Sequence, residues 1–515
     1  MSYESTRDAE QLRMLGPSIE AFIDRYNNNT NWQANGVRHT VFVLPGGMGC
    51  RLRRAKTPYV DGLGGTQTFD YDLAWIDAGT LLFGNSAKLM LGKGPEYRDK
   101  GDRIIIADGS IGFLGCTPYS GFTDWCEEAG LDYFVYGWDW RRRIEHGGRF
   151  FVEKFLPFFR DRVKSGCNNA DPLQKFSVIG HSAGGMVVNW IFRRNHAITA
   201  TMYRAITVAT PFYGYASQLH RWFTGEPYLN SGDLYRAKII QAICSMPACY
   251  AWLYLDGKTF IKYETLLKND PQYPLKSYPC VDATDPTVWA DPYRPKTNGS
   301  QVRYPEGNSG FSHEELHHAC KLVRRLASDF ASDLPLDKFY NVRCDTGRDD
   351  TAGSSTWKWT PPTLPSPIDD VSKVPGDDTQ PGWSARHVGL ASIRPLQVVR
   401  VLDPHAEHAF TMNCHATIVE LAKILGAQVP AVAASLPVEI ASSEEAFAFV
   451  QMLQRKFSKR ISAAEARVRL RALIAKKLSI EKQRAIARRI YVDLLGPPLP
   501  TKSRPKSARK AARAK

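Results

Sequence analysis

Between residues 39 and 425, short apolar runs alternate with stretches whose apolar residues recur at helical spacing. The runs at 41–44, 103–107, 132–137, 176–179, 205–210, 339–343 and 396–402 have the length and the β-branched or aromatic content of buried strands. The stretches near 79–92 and at 120–130, 150–163 and 415–425 read as helices, as does a segment opened by the capping box Ser312-x-x-Glu315 and running to about 330. Strands interleaved with helices predict an α/β fold, a mostly parallel central sheet flanked by helices. Residues 1–38 read as a lead-in, a short helix followed by the polar loop NNNTNWQANG. Residues 215–310 break the pattern. They are rich in Tyr, Trp and Pro with little periodicity, and read as a cap inserted over the sheet, whose aromatics pack the insertion or line an apolar site. Residues 345–375, rich in Pro, Ser, Thr and Asp, read as one long loop.

The strand at 176–179 runs straight into Gly180-His181-Ser182-Ala183-Gly184-Gly185 and then into a helix carrying Met186, Val187, Trp190 and Ile191 on its apolar face. Gly180 and Gly184 flank Ser182 in a G-x-S-x-G pattern. A strand that reverses directly into a helix strains the turn residue and crowds its neighbours, so only small residues let the two elements pass. The serine oxygen then stands clear of the backbone at the positive end of a helix, where developing negative charge is stabilised. The glycine cluster Gly46-Gly47-Met48-Gly49, after the strand at 41–44, lies where a serine hydrolase keeps the second amide for an anionic oxygen. No G-K-[ST] closes it, so it is not a phosphate loop.

A serine hydroxyl is a poor nucleophile near neutral pH. It needs an imidazole to take its proton and a carboxylate to hold that imidazole in one tautomer. In α/β-hydrolases these follow in the order Ser, Asp, His, with the last two on loops after late strands. Asp377 and His408 occupy those places here. Asp378 competes for the acid, and His405 and His415 for the base. Asp139, between Trp138 and Trp140 and before Arg141-Arg142-Arg143, is read as a scaffold aspartate paired with a neighbouring arginine rather than a cleft residue. The aspartates at 345, 349 and 350 fit no calcium-loop spacing, and no cofactor or metal is called for.

The pieces VFVLPGGMG (41–49), YGWDWR (136–141), IGHSAGG (179–185), VATPFYG (208–214), PGDDTQ (375–380) and EHAFTMN (407–413) together resemble the lecithin:cholesterol acyltransferase family, which includes lysosomal phospholipase A2 and phospholipid:diacylglycerol acyltransferases. SMPACYAWL (245–253) faintly resembles that family's cap segment. The resemblance spans about 38–425. It implies an α/β-hydrolase fold, Ser182 as nucleophile, Asp377 as triad acid, His408 as base, and the amides of Gly47 and Ala183 as the oxyanion hole. It also implies a lipid ester as substrate, with the acyl group passing to water or to an alcohol or sterol. Three departures stand out, one of them a differing lid segment after the first P-G strand. Gln380 replaces the family's valine. Cys344 matches a cysteine disulfide-bonded in secreted relatives, but no cysteine lies at the partner place near Val388.

Ten dispersed cysteines without C-x-x-C, an N-terminus without a signal-peptide core, and no apolar run long enough to span a bilayer point to a cytoplasmic protein, peripheral to membranes at most. Charge sharpens this. Residues 431–515 hold 20 Lys and Arg against 6 Asp and Glu, a net +14 of the chain's +15. They read as a basic helical extension (431–496), with capping boxes at Ser442 and Ser462, and a disordered basic tail (497–515) beyond the α/β domain of 39–430. The extension is read as a solvated appendage or an anionic-membrane tether, and nucleic acid is the less favoured partner. A non-catalytic binding protein using this basic end is the alternative of another class. The tether reading predicts that deleting residues 501–515 weakens retention on anionic vesicles, most at low salt. Equal sedimentation of both forms at two salt concentrations counts against it.

Overall fold

The protein is described here by a computed structural model that covers residues 2–30, 38–61, 67–75, 88–92, 97–111, 118–168, 171–214, 242–252, 312–348, 351–358, 366–374 and 384–429, less 405 and 407, together with 376, 377, 379 and 382. The basic extension from 431 and nearly all of the proposed cap (215–241 and 253–310) lie outside these residues, as does most of the helix expected near 79–92.

The strands in chain order are β1 (Thr40–Leu44), β2 (Cys50–Ala55), β3 (Tyr71–Trp75), β4 (Ile105–Ser110), β5 (Asp132–Val135), β6 (Phe176–His181), β7 (Arg204–Val208), β8 (Phe339–Asp345), β9 (Thr351–Lys358), β10 (Ser366–Val374) and β11 (Val398–Leu402). Six of them form one sheet in the order β11-β8-β7-β6-β1-β5, and every pairing in it is parallel. The α/β architecture read from the alternating runs is therefore the architecture observed. Every residue of β1 and of β6 is buried, as expected of parallel strands covered on both faces. Alternation divides the core. Phe42, Leu44, Val178 and Ala205 face one layer, and Val41, Val43, Ile179, Ile206 and Val208 the other.

The helices are α1 (Tyr3–Asn28), α2 (Ser120–Glu128), α3 (Ile144–Arg149), α4 (Leu156–Gly166), α5 (Ala183–Arg194), α6 (His196–Thr201), α7 (Pro247–Tyr250), α8 (His313–Ala327), α9 (Val388–Ile393) and α10 (His415–Leu425). α1, α4, α5 and α8 cover one face, where Phe22, Phe42, Phe134, Phe155 and Phe159 interlock with ring centroids 5.0–6.3 Å apart. α2 and α10 cover the other with Phe122, Trp125, Ile418 and Leu421.

Several expectations change. The short N-terminal helix is 26 residues long and packs Leu15, Ile19, Phe22 and Tyr26 into the main core, so it is part of the domain and not a lead-in. Its first half carries charges and Pro17 reads as a stop, which hid the helix in the sequence. The helix expected at 150–163 is continuous from Ile144 to Gly166, with one wide turn at Phe150–Phe155 joining α3 to α4. The loop at 345–375 holds an antiparallel pair, β9 with β10, whose Ser, Thr and Asp content gives no apolar alternation to read. β2, β3 and β4 form a separate antiparallel sheet. Ser312 caps α8 through its Oγ, which accepts from the Glu315 amide at 3.2 Å. The reciprocal half of the capping box is absent. Ser312 N–H donates to Tyr250 Oη (2.8 Å), and the Glu315 carboxylate pairs with Arg143.

Asp139 is a scaffold residue. It is fully buried and accepts from Arg141 Nε (2.9 Å) and Nη2 (2.7 Å) in a two-pronged pair. Arg141 Nη2 also meets Asp99 (2.8 Å), and Arg141 Nη1 donates to the Leu89 carbonyl (3.0 Å). Arg142 and Arg7 flank the same carboxylate at 3.4 and 3.8 Å. Burial alone would raise the Asp139 pKa, but Arg141, Arg142 and Arg7 outweigh it and hold the group below its ordinary value. Removing one member of a buried ion pair strands the other. Asp139→Ala is thus expected to cost about 3–5 kcal/mol in denaturant unfolding; a change below ~1 kcal/mol would show that the network does not hold the fold.

Three buried histidines are held neutral. Burial, with Lys175 and Arg204 nearby, pushes His39 down to about 3; burial and the neighbouring His408 lower His181, and burial and Arg193 lower His387. The unfolded chain takes up a proton at each near the ordinary value of 6.5 and the folded chain does not. Stability is therefore intact above that pH and is lost as pH falls below it, by about 1.4 kcal/mol per pH unit for each histidine. Urea midpoints at about pH 7.5 and about pH 5.5 test this; identical midpoints would refute it.

Candidate active site

Four chain segments end at the carboxyl edge of the parallel sheet, the usual place for a site in an open α/β sheet. They follow β1, β6, β8 and β11. Ser182 is the turn between β6 and α5. Its backbone sits at φ 53°, ψ −128°, a region that non-glycine residues avoid. The turn is held by Ser182 N–H donating to the Val208 carbonyl (2.8 Å) and Gly185 N–H donating to the Ser182 carbonyl (2.9 Å). The glycines answer to contact. A Cβ on Gly180 would strike the backbone of Gly184 and Gly185, one on Gly184 the carbonyls of Leu44 and Pro45, and one on Gly185 the side chain of Thr210.

His408 and Asp377 come to this serine from 226 and 195 residues away. His408 Nε2 lies 2.8 Å from Ser182 Oγ, and His408 Nδ1 lies 2.7 Å from Asp377 Oδ2. Asp377 is fully buried and His408 nearly so. Asp377 Oδ1 accepts from Thr379 N–H (3.2 Å), and the Asp377 carbonyl accepts from His408 N–H (2.7 Å). Asp377 and His408 are thus joined through main chain as well as side chain. Two further bonds tie these loops to the strands: Thr346 N–H to the Gly376 carbonyl (2.7 Å), and Asp403 N–H to the Asp345 carbonyl (3.0 Å). Asp378 and His405 lie outside the described residues, and His415 is the first residue of α10.

The glycine cluster after β1 folds into a tight turn, with Gly49 N–H donating to the Gly46 carbonyl (2.9 Å) and Met48 at φ 63°. Gly46 touches the serine, since a Cβ there would come within 2.8 Å of Ser182 Cβ. Three indoles hold the carbonyls of this turn and of the strand it enters. Trp138 Nε1 donates to Pro45 (2.8 Å), Trp75 Nε1 to Met48 (2.8 Å) and Trp140 Nε1 to Cys50 (3.2 Å). The tryptophans either side of Asp139 therefore brace the glycine turn beside Ser182. Gly46 N–H is taken by Tyr119 Oη (2.9 Å), which removes it as an oxyanion donor. Gly47 is the next amide, and Ala183 is the first residue of α5, where helix amides have no intrahelical acceptor. The indole of Trp252 covers Gly47, and its Nε1 is buried without a hydrogen-bond partner among the described residues. This tryptophan belongs to 242–252, the described part of the expected cap, which is buried throughout and carries α7.

Two residues that sequence reasoning did not single out lie directly behind His408. His181 Nε2 is 2.9 Å from the His408 carbonyl oxygen, and His181 Nδ1 is 3.1 Å from Tyr119 Oη. His181 had a usable signal, its place before the serine at the end of a buried strand. Tyr119 lies in a loop with none.

Glu4, Asp8 and His146 bring possible metal-binding atoms within 4.8 Å of one another. Arg7 Nη2 already sits among them, 3.1, 2.9 and 2.6 Å away respectively, so a guanidinium occupies the place a cation would take. Among the described residues the cysteines form no disulfide. Cys344 has Thr417 Oγ1 3.7 Å away and forms no disulfide. Among the described residues no helix is long and apolar enough to cross a membrane.

No family model matches this chain, and no curated protein matches it. Among solved structures it is similar to a chain in the crystal structure of the Tle4-Tli4 complex, at 14% identity and a TM-score of 0.39, over 76% of this chain and 98% of that one.

Proposed function

We propose that the protein is a serine-dependent ester hydrolase acting on lipid esters through an acyl-enzyme on Ser182. The observation that carries this reading is the unbroken chain from Ser182 Oγ to His408 Nε2 and from His408 Nδ1 to Asp377, on a strained strand-to-helix turn. Asp377 accepts the Nδ1–H, leaving the Nε2 lone pair facing the serine hydroxyl. Ser182 Oγ attacks the ester carbonyl carbon as its proton passes to Nε2. The carbonyl electrons move to the oxygen, which the amides of Ala183 and Gly47 stabilise. Collapse breaks the bond to the alcohol oxygen, and Nε2 returns the proton to that leaving group. Water repeats the sequence on the acyl-serine and releases a carboxylic acid and free enzyme. The assignment to lipid esters rests on the motifs that resemble the lecithin:cholesterol acyltransferase family; the same acyl-enzyme could be discharged by an alcohol in place of water.

Ser182→Ala is expected to abolish fluorophosphonate labelling and to lower ester hydrolysis at least about 10⁴-fold, with Asp377→Asn losing on the order of 10⁴-fold in kcat. Labelling that survives Ser182→Ala rules out the nucleophile. A panel of lipid esters with and without a sterol or diacylglycerol acceptor, scored by mass spectrometry, identifies the substrate. Free fatty acid as the sole product supports hydrolysis, an acylated acceptor makes the protein a transferase, and turnover of none of the esters removes the lipid reading.

A further inference from the structure

Behind the base, hydrogen bonds run from the glycine turn to the backbone of His408: Gly46 N to Tyr119 Oη (2.9 Å), Tyr119 Oη to His181 Nδ1 (3.1 Å), His181 Nε2 to the His408 carbonyl (2.9 Å). The two ends fix the direction. An amide can only donate, and a carbonyl can only accept. His181 Nε2 must therefore carry its proton, which leaves Nδ1 an acceptor. Tyr119 must then donate its single proton to Nδ1 while accepting from Gly46. Every member has one permitted role, and His181 has one permitted tautomer.

We infer that Tyr119 and His181 are positioning residues of the site, an oriented chain that locks the His408 main chain to the turn that holds Gly46 and Gly47. This deepens the proposed hydrolase reading and rests on it. The His408 carbonyl is doubly held, since Thr411 Oγ1 also donates to it (3.0 Å), and its amide is held by Asp377. With the backbone fixed on both sides, the imidazole has little freedom except at its own side-chain torsions. The rings of His181 and His408 are 5.1 Å apart. A charged His181 would oppose the imidazolium that His408 must become, and burial keeps His181 neutral. Without the Tyr119 hydroxyl the Nδ1–H tautomer becomes accessible, which would set a lone pair against the His408 carbonyl. The chain also couples the two halves of the chemistry: the loop presenting the base and the turn presenting an oxyanion amide cannot shift independently.

The test uses the full chain with a soluble short-chain ester, and a fluorophosphonate to count reactive Ser182 in each preparation. Tyr119→Phe and His181→Leu are expected to lower kcat per titrated serine by about tenfold to a hundredfold while KM changes by less than about twofold. His181→Gln, whose amide can donate where Nε2 does, is expected to recover most of that loss. A purely structural role would lower unfolding stability and the fraction of titratable serine but leave kcat per titrated site as in the wild type, and that result overturns the inference. A wild-type chain whose Ser182 does not label overturns the hydrolase reading itself, so the two failures are told apart.

Discussion

The main constraint on this structure is the backbone of Ser182. A non-glycine residue at positive φ costs on the order of 1–3 kcal/mol, and surrounding packing has to hold it there. The packing here is close: α5 leaves the turn so tightly against β6 and the end of β1 that Gly180, Gly184 and Gly185 have no room for a Cβ. The cost is offset by the buried strands on either side, β1 fully buried and β7 buried from Ala205 to Val208, with β6 registered against β1 from Thr40↔Phe176 to Leu44↔Gly180 and against β7 from Ser177↔Arg204 to His181↔Val208. What the strain produces is an oxygen raised above the sheet edge, at the amino end of a helix, with the Gly46 turn against its flank.

The remaining parts of the site are arranged around that oxygen by main-chain bonds more than by side chains. β8 and β11 are not neighbours of β6, so the segments after them must reach back across the sheet edge. They do so as a tied set, 346 to 376, 403 to 345 and 408 to 377. Asp377 and His408 thereby arrive as one assembly. Their side-chain bond can be short because their backbones are already joined.

A second layer explains why a buried charge network stands so near a site it does not enter. Trp138 and Trp140 give their indole N–H groups to the glycine turn, and Asp139 between them is clamped by Arg141. Arg141 in turn meets Asp99, which accepts from Tyr3 at the start of α1. A buried ion pair is weak evidence for stability in its own right. Its effect here is positional: it fixes the loop whose indoles brace the carbonyls at 45 and 50. The same links explain why the N-terminal helix is integral to the domain.

Much of the arrangement was legible in the chain because it depends on local patterns. Short apolar runs and period-3.6 spacing marked the parallel strands and most of their helices. The glycine spacing around Ser182 marked the strained turn, since no other residue fits so close a crossing. The order Ser, Asp, His picked out the three side chains that the structure brings together at 182, 377 and 408. What local pattern could not show was decided by tertiary contact. Helix α1 is polar in its first half and becomes buried against β4, β5, the wide turn at Phe150–Phe155 and α4. The pair β9 and β10 forms without apolar alternation. Trp252 meets Gly47, and Tyr119 meets His181, across 205 and 62 residues of sequence. The sequence marked which side chains would come together at 182, 377 and 408, because those choices are written in spacing and residue type. Only the folded chain decided what stands behind them, because a hydrogen-bond partner is chosen by proximity in space, and no period in the sequence encodes that.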